Sequence, residues 1–545
     1  MTRTQAARPR SARIPEGHIP AGASGAVIEP AKPLPGGRLY RLLVGVDPAE
    51  GVEMSPEQVA ELADPLATLL LQRGTFPATL RELVAALDAH NAEPQGVPVQ
   101  QTFLVGEGSQ IPWTEQTKDV ARELRCVLSR GRSPEQAEVL VTTSPEADSP
   151  EAFLQLLAWD DEHGVFNYYL RLEGSTAWLF VGNSRHALEP ATRGKGPFDA
   201  HVNGSVVMRE LNEPWNNWHS QRAGVHDAIA PDSPLRTDPL WQNRLPADVF
   251  EKRIVRRCIG RWTKARLAAI RAQGSIEHPD WLLRQLFDTT TVNLRSTDRE
   301  SATVTDSEQL LLPLTFFFNL EALEKLGIAT PGAAVRVAGK LYRDSLVQYR
   351  FRLTDEKGFE QPGDTHFAFL FPEPAQEDID VVLQCVRQGL LTARFAACAL
   401  MVDFPNPVYS PRRAALLRHA PDTATITADG SDLSERTAQA IVAAAGAAGP
   451  QSPEAEFAEL WSVAQDRWPA EFATRLAGYL TAVTDRLTSA DGFDSYVRLA
   501  ESRRRRFATT SLNEFALLLP RTDIPSDMPP LQMKPDGTVA QRPSA

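Results

Sequence analysis

A chain of 545 residues exceeds the length at which one hydrophobic core stops growing, so two to four packed units with a sizeable core are expected. Hydrophobic residues at 42% and charged residues at 23% exclude a wholly disordered chain. A net charge of -12 argues against a general affinity for nucleic acid or anionic membranes.

Residues 1–37 are rich in Pro, Ala, Gly and Arg, lack apolar periodicity and carry no signal-like apolar segment, which predicts a flexible arm. From Leu39, LYRLLVGV reads as a strand. SPEQVAELADPLATLLLQRG follows with helical spacing behind a Ser55-Pro56-Glu57 start, and FPATLRELVAALDAHN reads as a second helix. VQQTFLVGEG returns to β character, Lys118 to Arg130 reads as a helix, and AEVLVTT reads as a strand.

LQLLAWD, VFNYYLRL and AWLFVG are separated by DDEHG and EGST, acidic and glycine joints that predict an antiparallel meander. Alternation places Phe166 and Tyr168 on one face with Asn167 opposite, and Trp159 and Trp178 near the core. In HVNGSVVMREL the signals for strand and helix conflict. DVFEKRIVRRCIGRWTKARLAAIRAQG is a helix capped at Gly274, and a short helix begins at His278-Pro279.

TTTVNLRSTDRESATVTD predicts an exposed, polar, loop-bearing hairpin. LLLPLTFFFNLEALEKLG passes from strand to helix, AAVRVAGKLYRDSLVQYRFRLTDEKG alternates like paired strands, and EDIDVVLQCVRQGLLTARFAACALMVDF supplies two buried segments. The longest strongly apolar run, Leu310 to Leu320, is too short for a bilayer and holds Pro313 and Asn319, so a soluble, cytoplasmic protein is expected.

The predicted fold class is α+β, with antiparallel sheet regions flanked by helices and a helical C-terminal part. Its predicted organisation is an arm at 1–37, an α+β domain at 38–235 and a second α+β region at 236–420. A linker with an Ala-rich helix follows at 421–455, then helices at 456–520 and a disordered tail at 521–545. Cys126, Cys258, Cys385 and Cys398 form no CxxC pair and are expected as free, mostly buried thiols.

The stretch from Trp159 to His226 holds five of the ten histidines and four of the ten tryptophans. Within it, TRGKGPF combines two glycines with Arg193 and Lys195, which suits contact with a phosphate or carboxylate but is not a Walker A motif; a cationic turn is the ordinary alternative. His201, Asn203, Glu210 and His219 offer imidazole, amide and carboxylate groups, and His201, Glu210 and His219 make a metal set without HExxH spacing. His219 walled by Trp215 and Trp218 also suits an axial haem ligand, the alternative being two indoles packed as core anchors.

In EQPGDTHF, strand alternation would place Asp364 and His366 on one face as a carboxylate–imidazole pair, against the plain alternative of a solvated turn. The run Arg503 to Arg506 reads as a solvated helix end rather than a nucleic-acid grip. No GxSxG or GxGxxG is present.

These features predict a metal- or haem-dependent oxidoreductase acting on a small organic substrate, with its pocket around residues 192–222. His219, Arg193, Asp364 and His366 would be catalytic, and Trp215, Trp218 and Lys195 would hold the cofactor. The alternative is a non-catalytic binding or assembly protein whose Trp-rich loop docks a protein partner.

Overall fold

Both faces of the central sheet are apolar, and the rest of the N-terminal half is arranged to cover them. The computed structural model describes residues 28–107, 115, 117–118, 123–144, 148–199, 201–204, 206, 229, 231–332, 334–354, 358–509 and 519–543. Eight strands form the sheet: β1 (Arg38–Arg41), β2 (Val52–Glu53), β3 (Val99–Glu107), β4 (Glu123–Ser133), β5 (Gln136–Thr143), β6 (Leu154–Asp160), β7 (Val165–Arg171) and β8 (Ala177–Asn183). Their order is β2-β1-β8-β7-β6-β5-β4-β3. Strands β3 to β8 run as an antiparallel meander, and β1 lies parallel to β8.

Alternation sends neighbouring side chains to opposite faces, and here both faces are buried. Phe166, Tyr168 and Trp159 join Phe103, Leu157 and Leu179 on one face. This face is covered by a π-helical turn, Glu251–Val255, and the helix Arg256–Gln273 through Ile254, Cys258, Ile259 and Trp262. Leu156, Tyr169 and Trp178 point to the other face, which α1 (Pro56–Ala60), α2 (Pro65–Leu69) and α3 (Leu80–Asp88) cover with Leu66, Leu69, Leu80 and Leu83. Asn167 shares that second face, as its position between Phe166 and Tyr168 requires.

The α2 helix is docked by its own cap. Asp64 Oδ1 accepts from the Ala67 backbone N–H at 3.0 Å, while its Oδ2 accepts from Tyr169 Oη at 2.5 Å and Asn167 Nδ2 at 2.8 Å. The carboxyl is fully buried, and burial raises its pKa. One side chain therefore terminates a helix and fixes it to the sheet.

A third core gathers the C-terminal helices. It includes Pro279–Phe287, Gln376–Arg387, Ala393–Met401, Leu433–Ala448, Pro453–Ser462, Trp468–Leu487 and Ala490–Ala508. The four cysteines are buried, and burial pushes the thiols of Cys258, Cys385 and Cys398 up to about 12.

Several elements differ from the sequence expectation. Residues 123–133 are strand β4, not helix, because pairing with β3 and β5 on both sides and burial on both faces outweigh the local helical spacing. Alternation in VRVAGKLYRDSLVQ ends at Ala338: Val335–Ala338 is a strand, and Gly339–Gln348 is a helix that buries Tyr342 and Ser345. Val292–Arg295 forms no exposed hairpin but pairs with Phe371–Pro374 in the interior.

The tail expected to be disordered carries a hairpin, Leu531–Met533 with Val539–Gln541. Leu531 and Met533 are buried in the third core, and Asn406 bonds both backbone groups of Met533 at 2.9 Å. Arg503 and Arg504 are not a solvated helix end. Arg503 donates to the Phe316 and Pro405 carbonyls, and Arg504 donates to the Leu370 carbonyl and Glu501.

Tyr169→Phe removes one donor from a buried carboxyl and should lower the unfolding free energy by about 1–3 kcal/mol in urea denaturation, with the far-ultraviolet circular dichroism unchanged. An unaltered midpoint would show that the remaining partners of Asp64 suffice.

Candidate functional site

The helix Pro279–Phe287 starts with Pro279 in its first turn and stops at Asp288, whose backbone is extended. Trp281, Arg284 and Gln285 are three and four residues apart, so they share one face. Opposite them, the chain after β8 makes consecutive turns. Arg193 N–H donates to the Glu189 carbonyl at 2.8 Å, the Thr192 hydroxyl donates to the His186 carbonyl, and Gly194 sits at φ 70° where a side chain would be strained. Leu188, Arg193, Val202 and Asn203 from this side, and Trp281, Arg284 and Gln285 from the helix, enclose a cleft of about 230 Å³ floored by Asp288, Thr289 and Thr290.

Two guanidinium groups meet in this cleft. Arg193 is half-buried, and burial followed by the nearby Arg284 charge lowers its pKa. Among the described residues, the Arg193 side chain has no hydrogen bond or ion pair. Arg284 reaches only Asp280, one turn back, at 3.7 Å, and its Nε is buried without a hydrogen-bond partner among the described residues.

The floor is tied to the interior by a polar node. Asn203, 5% exposed, donates from Nδ2 to Thr290 Oγ1 at 3.2 Å, and its amide meets that of Gln285 at 3.0 Å. Its carbonyl accepts from Trp262 Nε1 at 2.7 Å. Thr290 Oγ1 donates to Asp378 Oδ1 at 2.5 Å, while Asp378 Oδ2 accepts from the Thr290 and Thr291 backbone N–H groups at 3.3 and 3.2 Å. Asp378 lies in the first turn of Gln376–Arg387 and is buried, which pushes its pKa up to about 7. Behind the floor, a cavity of about 20 Å³, room for one water, is lined by Thr291, Asp378, Asn319 and Arg413.

The sequence-predicted site residues are only partly brought together. Arg193 lines the cleft, whereas Lys195 does not: its ammonium bonds the Ala191 carbonyl at 2.9 Å. His201 lies two residues before Asn203 and packs its ring edge-on against Tyr168, centroids 5.2 Å apart. Glu210, Trp215, Trp218 and His219 lie outside the described residues, and among the described residues no group of three His, Cys, Asp or Glu side chains is placed to hold a metal.

Asp364 and His366 do not form the expected pair, because the chain bends there instead of continuing as a strand. Asp364 accepts from Tyr342 Oη and from the Phe369 and Leu370 backbone N–H groups, with Arg504 Nη1 at 3.8 Å. His366 is buried with neither ring nitrogen hydrogen-bonded among the described residues, and burial lowers its pKa, keeping it neutral. Neither residue lines the cleft.

Trp281, Arg284, Thr290 and Asp378 escaped the sequence reading. The only local signal was the TTT run after a helix stop, since Asp378 meets Thr290 across 88 residues of chain.

Asp364→Ala would leave the Tyr342 hydroxyl, two backbone N–H groups and the Arg504 charge without their shared acceptor. The expected loss is about 3–5 kcal/mol in denaturant unfolding. A loss below about 1 kcal/mol would show that these donors find other acceptors.

Comparison of the chain with protein-family models, with curated proteins and with solved structures finds no match in any of the three.

Proposed function

We propose that this chain holds a small dianionic organic molecule, a dicarboxylate or a phosphate ester, in the cleft between Arg193 and Arg284. The observation that carries the reading is the pair of guanidinium side chains lining one open cleft with no hydrogen-bonded carboxylate among the described residues. Two like charges held close in a partly desolvated site repel, and an anion between them relieves that repulsion while accepting their forked donors. Trp281, stacked on His278 with ring centroids 4.2 Å apart, offers an apolar wall for the carbon skeleton, and a cleft of about 230 Å³, smaller than the roughly 300–1,000 Å³ of drug-sized sites, restricts the ligand to a small molecule.

The metal- or haem-dependent oxidation expected from the sequence is a proposal for the same region. It rests on the sequence alone: His201 and the cleft-lining Asn203 precede Glu210, Trp215, Trp218 and His219 in the chain.

Isothermal titration of the full chain with malonate and with glycerol phosphate distinguishes the two anion classes. Arg193→Gln and Arg284→Gln should each weaken the preferred anion at least tenfold while shifting thermal unfolding little. Binding that survives both substitutions would end the cleft reading.

For the redox proposal, the purified chain should show a Soret band or stoichiometric transition metal, and His219→Ala should remove it without unfolding the protein. A colourless, metal-free chain that binds neither anion favours the partner-docking alternative.

A further inference from the structure

The cleft floor contains a hydrogen-bond donor that is already spent. Thr290 Oγ1 has one proton and two lone pairs. Its proton goes to Asp378 Oδ1 at 2.5 Å, and one lone pair accepts from Asn203 Nδ2 at 3.2 Å. An anion entering the cleft therefore meets only lone pairs at this hydroxyl, which is repulsive. If Asp378 carries a proton on Oδ1, the direction of that bond reverses: the carboxyl donates, Thr290 accepts from both Asp378 and Asn203, and the Thr290 proton is free to point into the cleft.

We propose that Thr290 is a ligand-binding hydroxyl of this cleft, released to the anion when Asp378 takes up a proton, so that one anion and one proton bind together. The inference rests on the anion-binding reading of the cleft and adds its proton linkage.

The geometry allows the reversal without moving the floor. Asp378 Oδ2 keeps its two backbone donors in either protonation state, so the loop at Thr289–Thr291 stays latched to the Gln376–Arg387 helix. Burial places Asp378 where it titrates near neutrality. Thr290, Arg193 and Arg284 line one cleft.

The charged groups around Asp378 are otherwise committed. Asp288, at the end of the Pro279–Phe287 helix, raises its pKa further and accepts from the Thr289 N–H at 2.8 Å. Arg413, on the far wall of the small cavity, donates to the carbonyls of Val402, Asn406 and Pro407. On its own helix, Asp380 turns to Gln384 and Lys325, and Glu377 faces Tyr168. Arg266, from the Arg256–Gln273 helix, faces Cys385. Arg193 and Arg284 are the cations on the cleft walls. Among the described residues, His278 stacks on the cleft-lining Trp281, and His201 lies two residues before Asn203.

The sign follows from the raised pKa. Above it Asp378 is ionised and holds the Thr290 proton, so affinity falls as pH rises, and below it the hydroxyl is free. Since only the protonated fraction is competent, affinity should be roughly tenfold higher at pH 6 than at pH 8.

The test uses sulfate, which stays a dianion over this range, titrated calorimetrically into the full chain at pH 6 and pH 8 in two buffers of different ionisation enthalpy. The unmodified chain should take up close to one proton per sulfate at pH 8. Asp378→Asn, which presents a permanent donor to Thr290, should bind equally well at both pH values and take up none. Thr290→Val should weaken binding at pH 6 and flatten the pH dependence, whereas His201→Gln and His278→Gln should retain it. Equal affinity at both pH values without proton uptake overturns the proposal, as does an undiminished pH dependence in either Asp378→Asn or Thr290→Val. Failure of the unmodified chain to bind sulfate at either pH overturns the cleft reading itself.

Discussion

A sheet that is apolar on both faces must be covered twice, and that requirement organises the chain. The α1–α3 cover comes from residues early in the sequence, before the meander begins at β3. The opposite cover arrives late, after the turns that follow β8, as the Arg256–Gln273 helix with Ile259 and Trp262 against Phe166 and Tyr168. Because the covering helix is followed by a capped turn at Gly274 and then by Pro279–Phe287, the chain returns beside the turns that carry Arg193 and Asn203. The cleft lies at this seam, where the N-terminal half meets the third core.

Buried carboxyl groups recur at the joints. Asp64 fastens α2 to β7, Asp364 gathers Tyr342, the Phe369–Leu370 backbone and Arg504, and Glu373 accepts from Asn293 and Thr315. Asp378 does the same for the cleft floor. In each case several donors converge on one group, which offsets the desolvation that would otherwise exclude it from the interior. Burial raises the pKa of all four, to about 7 for Glu373 and Asp378, so for these two protonation near neutrality is linked to packing.

These joints differ in what lies beside them. Asp64, Asp364 and Glu373 are closed on protein donors away from the cleft. Asp378 shares its bonded hydroxyl, Thr290, with the same cleft that two under-compensated guanidinium groups enter. A polar node with one side open to ligand can change donor direction without unfolding anything, whereas a fully enclosed node cannot contribute to binding.

Local periodicity by itself determined the α+β class and the β6–β8 meander. It also determined the opposing faces of Phe166 and Asn167, the helix from Arg256 with its cap at Gly274, and the start of Pro279–Phe287. These depend on neighbours within a few residues, through side-chain alternation, caps and turn glycines. Arg193 was legible as a cation in a glycine-rich turn, but nothing local said that Arg284 would face it.

Tertiary structure alone decided that 123–133 would be a doubly paired strand, that Gly339–Gln348 would turn helical after four residues of strand, and that Leu531 and Met533 would be core. It also separated Asp364 from His366, by bending the chain where alternation predicted a strand. The Asn203–Asp378 contact spans 175 residues and the Thr290–Asp378 bond spans 88. The sign and cost of a buried charge depend on which distant donors surround it, so that part of the site is written in packing and not in spacing.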